Sequence, residues 1–157
     1  VGVELQIEEV NELFHKEKYW GWVDAGGFEM YLGGNDDGIS LRFYHGHTYE
    51  PTTRELWRKL CKGGVVADIG AHSGIFTLEA FKNGAELVFS AEPHPVNYSR
   101  LVMNLRKNGY DYRGVFFGAM GDFNGVEKLM VKQAYMLHAA GRMGLHNPNG
   151  TEFPVNV

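Results

Sequence analysis

The chain has 157 residues, 44% of them hydrophobic and 22% charged, with a net charge of −4 at pH 7. That length and composition fit one globular domain, and an acidic balance with no run of five like charges excludes the basic stripe of a nucleic-acid-binding surface. The single cysteine, Cys61, excludes an internal disulfide and a paired-cysteine metal motif. No stretch reaches the about 18 apolar residues of a membrane span, so no membrane partner and a cytoplasmic setting are expected.

In chain order, residues 3–14 place Val3, Ile7, Val10 and Phe14 at helical spacing among Glu4, Glu8, Glu9 and Glu12, with Lys16 and Lys18 following. This predicts an amphipathic helix whose charges complement its dipole. Residues 28–32 and 39–44 read as strands joined by the Gly-Gly-Asn-Asp-Asp-Gly stretch at 33–38, a predicted β-hairpin. Thr52 and Glu55 form a capping-box pattern ahead of Leu56, Trp57, Leu60 and Cys61, expected on one apolar face, and Gly63 and Gly64 end that helix.

Strands and helices then alternate. Val65–Ile69 is an apolar strand; Ser73 is positioned to cap a helix carrying Ile75, Leu78 and Phe81 inward. Residues 87–91 form a second apolar strand, Pro95 opens a helix with Tyr98, Leu101, Val102 and Leu105 in register, and residues 115–120 form a third strand. Such alternation predicts an α/β domain with a mostly parallel, doubly wound sheet. Residues 126–131 read as an edge or antiparallel strand, 134–150 as a loop, and 153–157 as a short alternating strand. The organisation expected is an N-terminal helix, hairpin and capping helix over 1–60, packed on a ligand-binding Rossmann-like domain over 61–157.

The chemistry concentrates where the first two parallel strands end. Asp68 closes its strand just before a Gly70-Ala71-His72-Ser73-Gly74 turn, and Glu92 closes the next strand 24 residues later. Open α/β sheets bind ligands at this carboxyl edge. A loop built for pyrophosphate wants backbone N–H groups and no anion nearby, so Asp68 points instead to a ligand with a positive charge there. S-adenosylmethionine carries an ammonium and a sulfonium and no phosphate. Glu92 stands where an acid accepts hydrogen bonds from both ribose hydroxyls. Gly70 and Gly74 suit a close approach by a ligand or backbone.

The run from Asp68 to Leu78, with Glu92-Pro-His-Pro-Val-Asn97, Leu101 and Asn104, resembles the FkbM-type methyltransferases. So do Tyr49 and Glu50 ahead of the capping helix and residues 118–122 after the third strand. The resemblance spans residues 45–131. It implies a Rossmann-like methyltransferase fold and transfer of a methyl group from S-adenosylmethionine to a hydroxyl of a sugar or secondary metabolite. It also implies that Asp68, Gly70, Ala71 and His72 line the methionine end of the cofactor. Glu92 then holds the ribose, Pro93 borders the adenine, Glu50 reaches the methionine moiety, and Ala119 lies on the adenine side. Members of that family continue into a strand ending in Asp-x-Glu-Gly; nothing after Val131 supplies it. The fold is therefore expected to be C-terminally shortened: either a fragment of a longer protein, or a shortened relative whose sheet a homodimer or a partner chain completes.

No catalytic residue is assigned by these patterns. His72 sits in the turn itself, and His94 and Asp122 fall near the crevice by strand-end position. His45 and His47, with Glu50, could be metal ligands, but a histidine pair without a firmly placed third ligand is more often structural, so no metal is expected. Two other readings stand beside the methyltransferase. A non-catalytic cofactor- or partner-binding module of the same fold is one. A nicotinamide-dependent oxidoreductase is the other, although the G-x-x-x-G spacing differs from G-x-G-x-x-G. No Gly-Lys-Ser/Thr occurs, which excludes a P-loop nucleotide hydrolase.

Overall fold

The computed structural model describes residues 21–32, 39, 42–43, 45–132 and 150–157. The predicted helix at 3–14 and the loop at 134–149 lie outside the described residues.

The central element is a three-stranded parallel sheet of β3 (Val65–Ile69), β4 (Leu87–Glu92) and β5 (Val115–Phe117), in that order. Helix α2 (Ile75–Lys82) connects β3 to β4, and α3 (Pro95–Lys107) connects β4 to β5. The register pairs Asp68 with Ser90 and Glu92 with Phe117, so the two acids and Ser90 share one face at the carboxyl end. Pro95 opens α3 as predicted, because its fixed φ suits the first helical turn and its missing N–H is not needed there.

Side-chain parity divides the sheet sharply. Val66 and Val88 are buried on the face carrying the acids, packed with Cys61, Ala80, Trp57 and Phe81 of the helical layer. Tyr98 of α3 packs on Phe117 of β5 with the rings tilted, centroids 4.9 Å apart, on that same face. The opposite face buries Ala91 but leaves Val65, Ile69, Leu87, Phe89 and Phe116 largely uncovered by the described residues, with Val65 69% and Phe89 49% exposed. Parallel sheets are ordinarily covered on both sides. Among the described residues, then, the helices of the doubly wound arrangement form a single layer.

Helix α1 (Pro51–Cys61) differs from expectation at its start and in its orientation. The capping box does not form: Pro51 begins the helix, so Thr52 is already inside it, and the N-cap is Glu50 in the left-handed region at φ 43°. Leu56 and Leu60 face outward, while Arg54 and Cys61 are buried. The Trp57 indole donates to the Phe76 carbonyl at 2.9 Å, fixing α1 against α2.

Of the expected hairpin, the first strand is present but pairs with an upstream strand, and the loop at 33–38 lies outside the described residues. The hairpin that forms has strands β1 (Gly21–Asp24) and β2 (Glu29–Leu32), antiparallel, with Trp22 opposite Tyr31. The turn is made by Asp24, whose Oδ1 accepts from the N–H groups of Gly26 at 2.9 Å and Gly27 at 2.6 Å. Such an Asx turn competes well with longer glycine-rich loops. The described residues of the expected second strand, Ile39, Arg42 and Phe43, are helical instead. Ala25, Phe28, Met30 and Leu32 of the hairpin bury against Ile75, Leu78, Leu101 and Leu105, forming the main core between the hairpin, α2 and α3. Each such side chain contributes roughly 1.5–3 kcal/mol on full burial.

Strands β6 (Val126–Lys132) and β7 (Gly150–Asn156) form a second antiparallel ribbon, as the alternating patterns suggested. It is tied to the end of β5, where the Ala119 N–H donates to the Asn156 carbonyl at 2.8 Å. Of the predicted third strand only Val115–Phe117 is extended; residues 118–120 turn toward β7.

Candidate functional site

The turn between β3 and α2 uses its own amides to bind the neighbouring strand. Gly70 and Ala71 N–H both donate to the Ala91 carbonyl, at 2.9 and 3.0 Å, and Gly74 N–H donates to the Ala71 carbonyl at 2.8 Å. His72 N–H donates to Glu92 Oε2 at 2.8 Å. A phosphate cradle needs such N–H groups unspent and convergent. Here four of the turn's amides already have acceptors within the protein, which disfavours the dinucleotide reading.

Glu92 locks two loops at once. Its Oε1 accepts from the N–H of His94 at 2.8 Å while Oε2 holds His72, and the residue is 2% exposed. Each carboxylate oxygen keeps a further acceptor position, so Glu92 is a rigid, acceptor-only group. His72 is held in the left-handed region at φ 54°, uncommon for a side chain of its size, by its N–H bond to Glu92.

Asp68 is buried at the end of its strand, 8% exposed. Its Oδ2 accepts from the Thr77 hydroxyl at 2.6 Å, and Thr77 Oγ1 lies 2.8 Å from Ser90 Oγ. Burial pushes the Asp68 carboxyl above its ordinary value, hydrogen bonds from the Thr77 side chain and backbone oppose this, and the nearby Glu92 charge adds to the rise. Among the described residues no cation pairs with it. Thr77 and Ser90 escaped the sequence reading; the one signal was a hydroxyl residue in the first turn of α2, inward by helical spacing.

The two glycines serve different ends. A Cβ on Gly74, at φ +93°, would stand 2.4 Å from Leu101 Cδ1, so helix α3 closes the space in front of this glycine. A Cβ on Gly70, at φ +82°, would meet nothing within 4 Å. It faces open space. Ser73, expected to cap α2, is one residue too early: the N-cap is Gly74, with no side-chain cap. Gly70→Ala is expected to lower stability by about 1–2 kcal/mol through backbone strain alone. Gly74→Ala should cost more, by a further 1–3 kcal/mol or so, because overpacking is added to the strain. Urea denaturation of the two variants checks this order.

His94 is buried at the start of α3, and burial, with His72 and Arg100 beside it, pushes its imidazole down to about 4. It is neutral at pH 7 and a weak base. Asp122 is exposed. Pro93 and Ala119 are half-buried at the ends of β4 and β5, and Glu50 is exposed at the head of α1. The structure thus brings Asp68, Gly70, Ala71, His72, Gly74, Glu92 and Pro93 to one sheet edge, with Ala119 beyond β5. Among the described residues no group of three or more His, Cys, Asp or Glu side chains is placed to hold a metal ion. Nor is any described helix long and apolar enough to cross a membrane.

No protein-family model and no curated protein matches this chain. Solved structures do. A protein described as a methyltransferase and solved in complex with SAH (S-adenosylhomocysteine) aligns with 69% of this chain at 16% identity and a TM-score of 0.51, over 28% of its own length. A protein from Streptococcus mutans described as S-adenosylmethionine-dependent aligns with 68% of this chain at 17% identity and TM-score 0.49, again over 28% of its length. A protein from Pyrococcus horikoshii described as an RNA methyltransferase aligns with 50% at 27% identity and TM-score 0.39, over 43% of its length. This chain spans less than half of each. The first likeness shows the fold: the β3–α2–β4–α3–β5 unit is part of a Rossmann-like methyltransferase fold.

Proposed function

We propose that this chain carries the S-adenosylmethionine-binding part of a methyltransferase that acts on a hydroxyl of a sugar or secondary metabolite. Asp68 carries the reading. A carboxylate nine-tenths buried, raised by that burial and neighboured by a second acid, is a costly arrangement unless a cation completes it. The ammonium of a methionine moiety is such a cation. Glu92, fixed by two backbone N–H groups, is suited to accept both hydroxyls of a ribose. Gly70, Ala71 and His72 border the methionine end; Gly74 acts through α3 packing. Pro93 and Ala119 flank the adenine, and Glu50 reaches the methionine moiety from α1. When bound, the cofactor supplies a methyl group on a sulfonium leaving group. The protein residues named here bind and orient it. The likeness to a methyltransferase solved with SAH supports this reading, while fold by itself does not decide function. The net charge of −4 favours a small-molecule or glycan acceptor over a nucleic acid.

A second reading has its own observation. The bare apolar face of the sheet favours a module that binds cofactor or a partner chain and is completed by further polypeptide, catalytic or not.

Thermal-shift titrations with S-adenosylhomocysteine and with NAD test the first reading. At about 100 times its dissociation constant a ligand adds roughly 2.7 kcal/mol, on the order of 5–10 °C for a chain of this size. A shift with the homocysteine compound and none with NAD is expected. A shift with NAD alone would put the oxidoreductase reading in first place.

A further inference from the structure

Helix α3 and its C-cap carry asparagines, at positions 104 and 108, that bind the outer edge of β2 as a neighbouring strand would. Asn108 Oδ1 accepts from Glu29 N–H at 2.9 Å and its Nδ2 donates to the Glu29 carbonyl at 2.7 Å. Asn104 Oδ1 accepts from Tyr31 N–H at 2.7 Å. The spacing is commensurate: four helical residues rise about 6 Å, and two strand residues about 6.8 Å. An edge that would otherwise offer unpaired backbone groups is thereby covered.

Asn104 does more than Asn108. Its Nδ2 donates to the Ser73 carbonyl at 2.8 Å, inside the turn that joins β3 to α2, and its side chain is fully buried. One helical turn earlier on α3, Leu101 fills the space in front of Gly74. Helix α3 therefore grips the turn at two successive residues, and through the single amide of Asn104 the grip continues to the hairpin. The chain of contacts runs from Tyr31 N–H through Asn104 to Ser73 O. It ends next to His72, whose N–H is on Glu92.

We infer that Asn104 is a positioning residue for the cofactor turn, coupling the docked N-terminal hairpin to the Gly70–Gly74 geometry. The inference rests on the proposed cofactor site for its ligand consequence, but not for its effect on the turn. A hairpin held by Asn104 keeps the turn in its binding shape, and by linkage a ligand on the turn tightens the hairpin.

The test compares Asn104→Asp, Asn104→Ser and Asn108→Ala in the full chain. Amide hydrogen exchange is followed at Gly74, whose N–H closes the turn on Ala71, and affinity for S-adenosylhomocysteine is measured by calorimetry. An ionised aspartate keeps an acceptor for Tyr31 but sets an oxygen against the Ser73 carbonyl. Exchange at Gly74 is expected to become on the order of tenfold faster, and ligand affinity on the order of tenfold weaker. Both should return toward wild type as the pH falls, because a protonated carboxyl donates to Ser73 again. Asn104→Ser, which adds no charge, should show the faster exchange without the pH dependence. Asn108→Ala loses the Glu29 bonds and lowers the melting temperature, yet should leave Gly74 exchange and ligand affinity at wild-type values. Gly74 exchange equal in wild type and both Asn104 variants, or equally fast in Asn108→Ala, overturns the inference. Fast exchange in the Asn104 variants alone, with no ligand binding by the wild type, upholds the turn coupling and removes the cofactor reading instead.

Discussion

Asp68→Asn is expected to abolish most affinity for S-adenosylhomocysteine while leaving the protein as stable as wild type, or more so, at pH 7. The asparagine carbonyl still accepts from the Thr77 hydroxyl, so the buried network with Ser90 keeps its donor satisfied. What disappears is the charge. A charge-assisted hydrogen bond contributes about 1.5–3 kcal/mol, so affinity should fall about 10- to 100-fold. The stability side follows from linkage. Burial raises the folded carboxyl above the ordinary value of 3.8, so the native state holds its proton over a range where the unfolded chain has released it. Stability from this group is therefore fully present below that ordinary value and is lost as the pH rises through the higher folded one. In Asp68→Asn that part of the slope vanishes. Denaturation of both proteins from pH 3.5 to 7.5, with calorimetric titration at pH 7, reads both effects. Wild-type affinity in the variant would remove Asp68 from the site.

What the sequence made legible was the part built from local signals. Apolar runs of strand length, each followed by glycine and a helical period, placed β3, α2, β4, α3 and β5 and set Asp68 and Glu92 on one edge. The missed features depend on partners distant in the chain. Leu56 and Leu60 look like a core stripe, but α1 turns Arg54 inward because Glu79, 25 residues away, receives it. The partner of the strand at 28–32 was sought downstream, whereas Asp24 with Gly26 and Gly27 turns the chain into it from upstream. Burial of Asp68 could not be read from a strand-end position, since it depends on how Thr77 and Ser90 close over it. The bare sheet face was illegible for a similar reason: Val65–Ile69 is apolar at both parities, and composition alone cannot say which face has a cover.

Arg54→Ala is expected to produce a large loss of stability by leaving a buried charge without its main partner. The guanidinium is 2% exposed and Glu79 is 1% exposed; their closest approach is 2.6 Å. Arg54 Nη2 also donates to the Ala25 carbonyl at 2.6 Å, and its charge lies 5.9 Å from the ring centres of both Phe28 and Phe43. One side chain thus fastens the β1–β2 turn to α1 and α2. Removing one partner of a buried pair costs about 3–5 kcal/mol, chiefly because the other charge stays buried. Arg58 also binds Glu79 and offsets part of that penalty, but it is 41% exposed and is screened by water. The expected loss is accordingly near the lower end, about 3 kcal/mol, or on the order of 6–12 °C in melting temperature. Arg58→Ala, by contrast, should cost under about 1 kcal/mol. Equal losses in the two variants would mean that Glu79 is held by the exposed arginine and that the hairpin docks by apolar contact alone. A large loss confined to Arg54→Ala places the fastening of the hairpin in the buried pair.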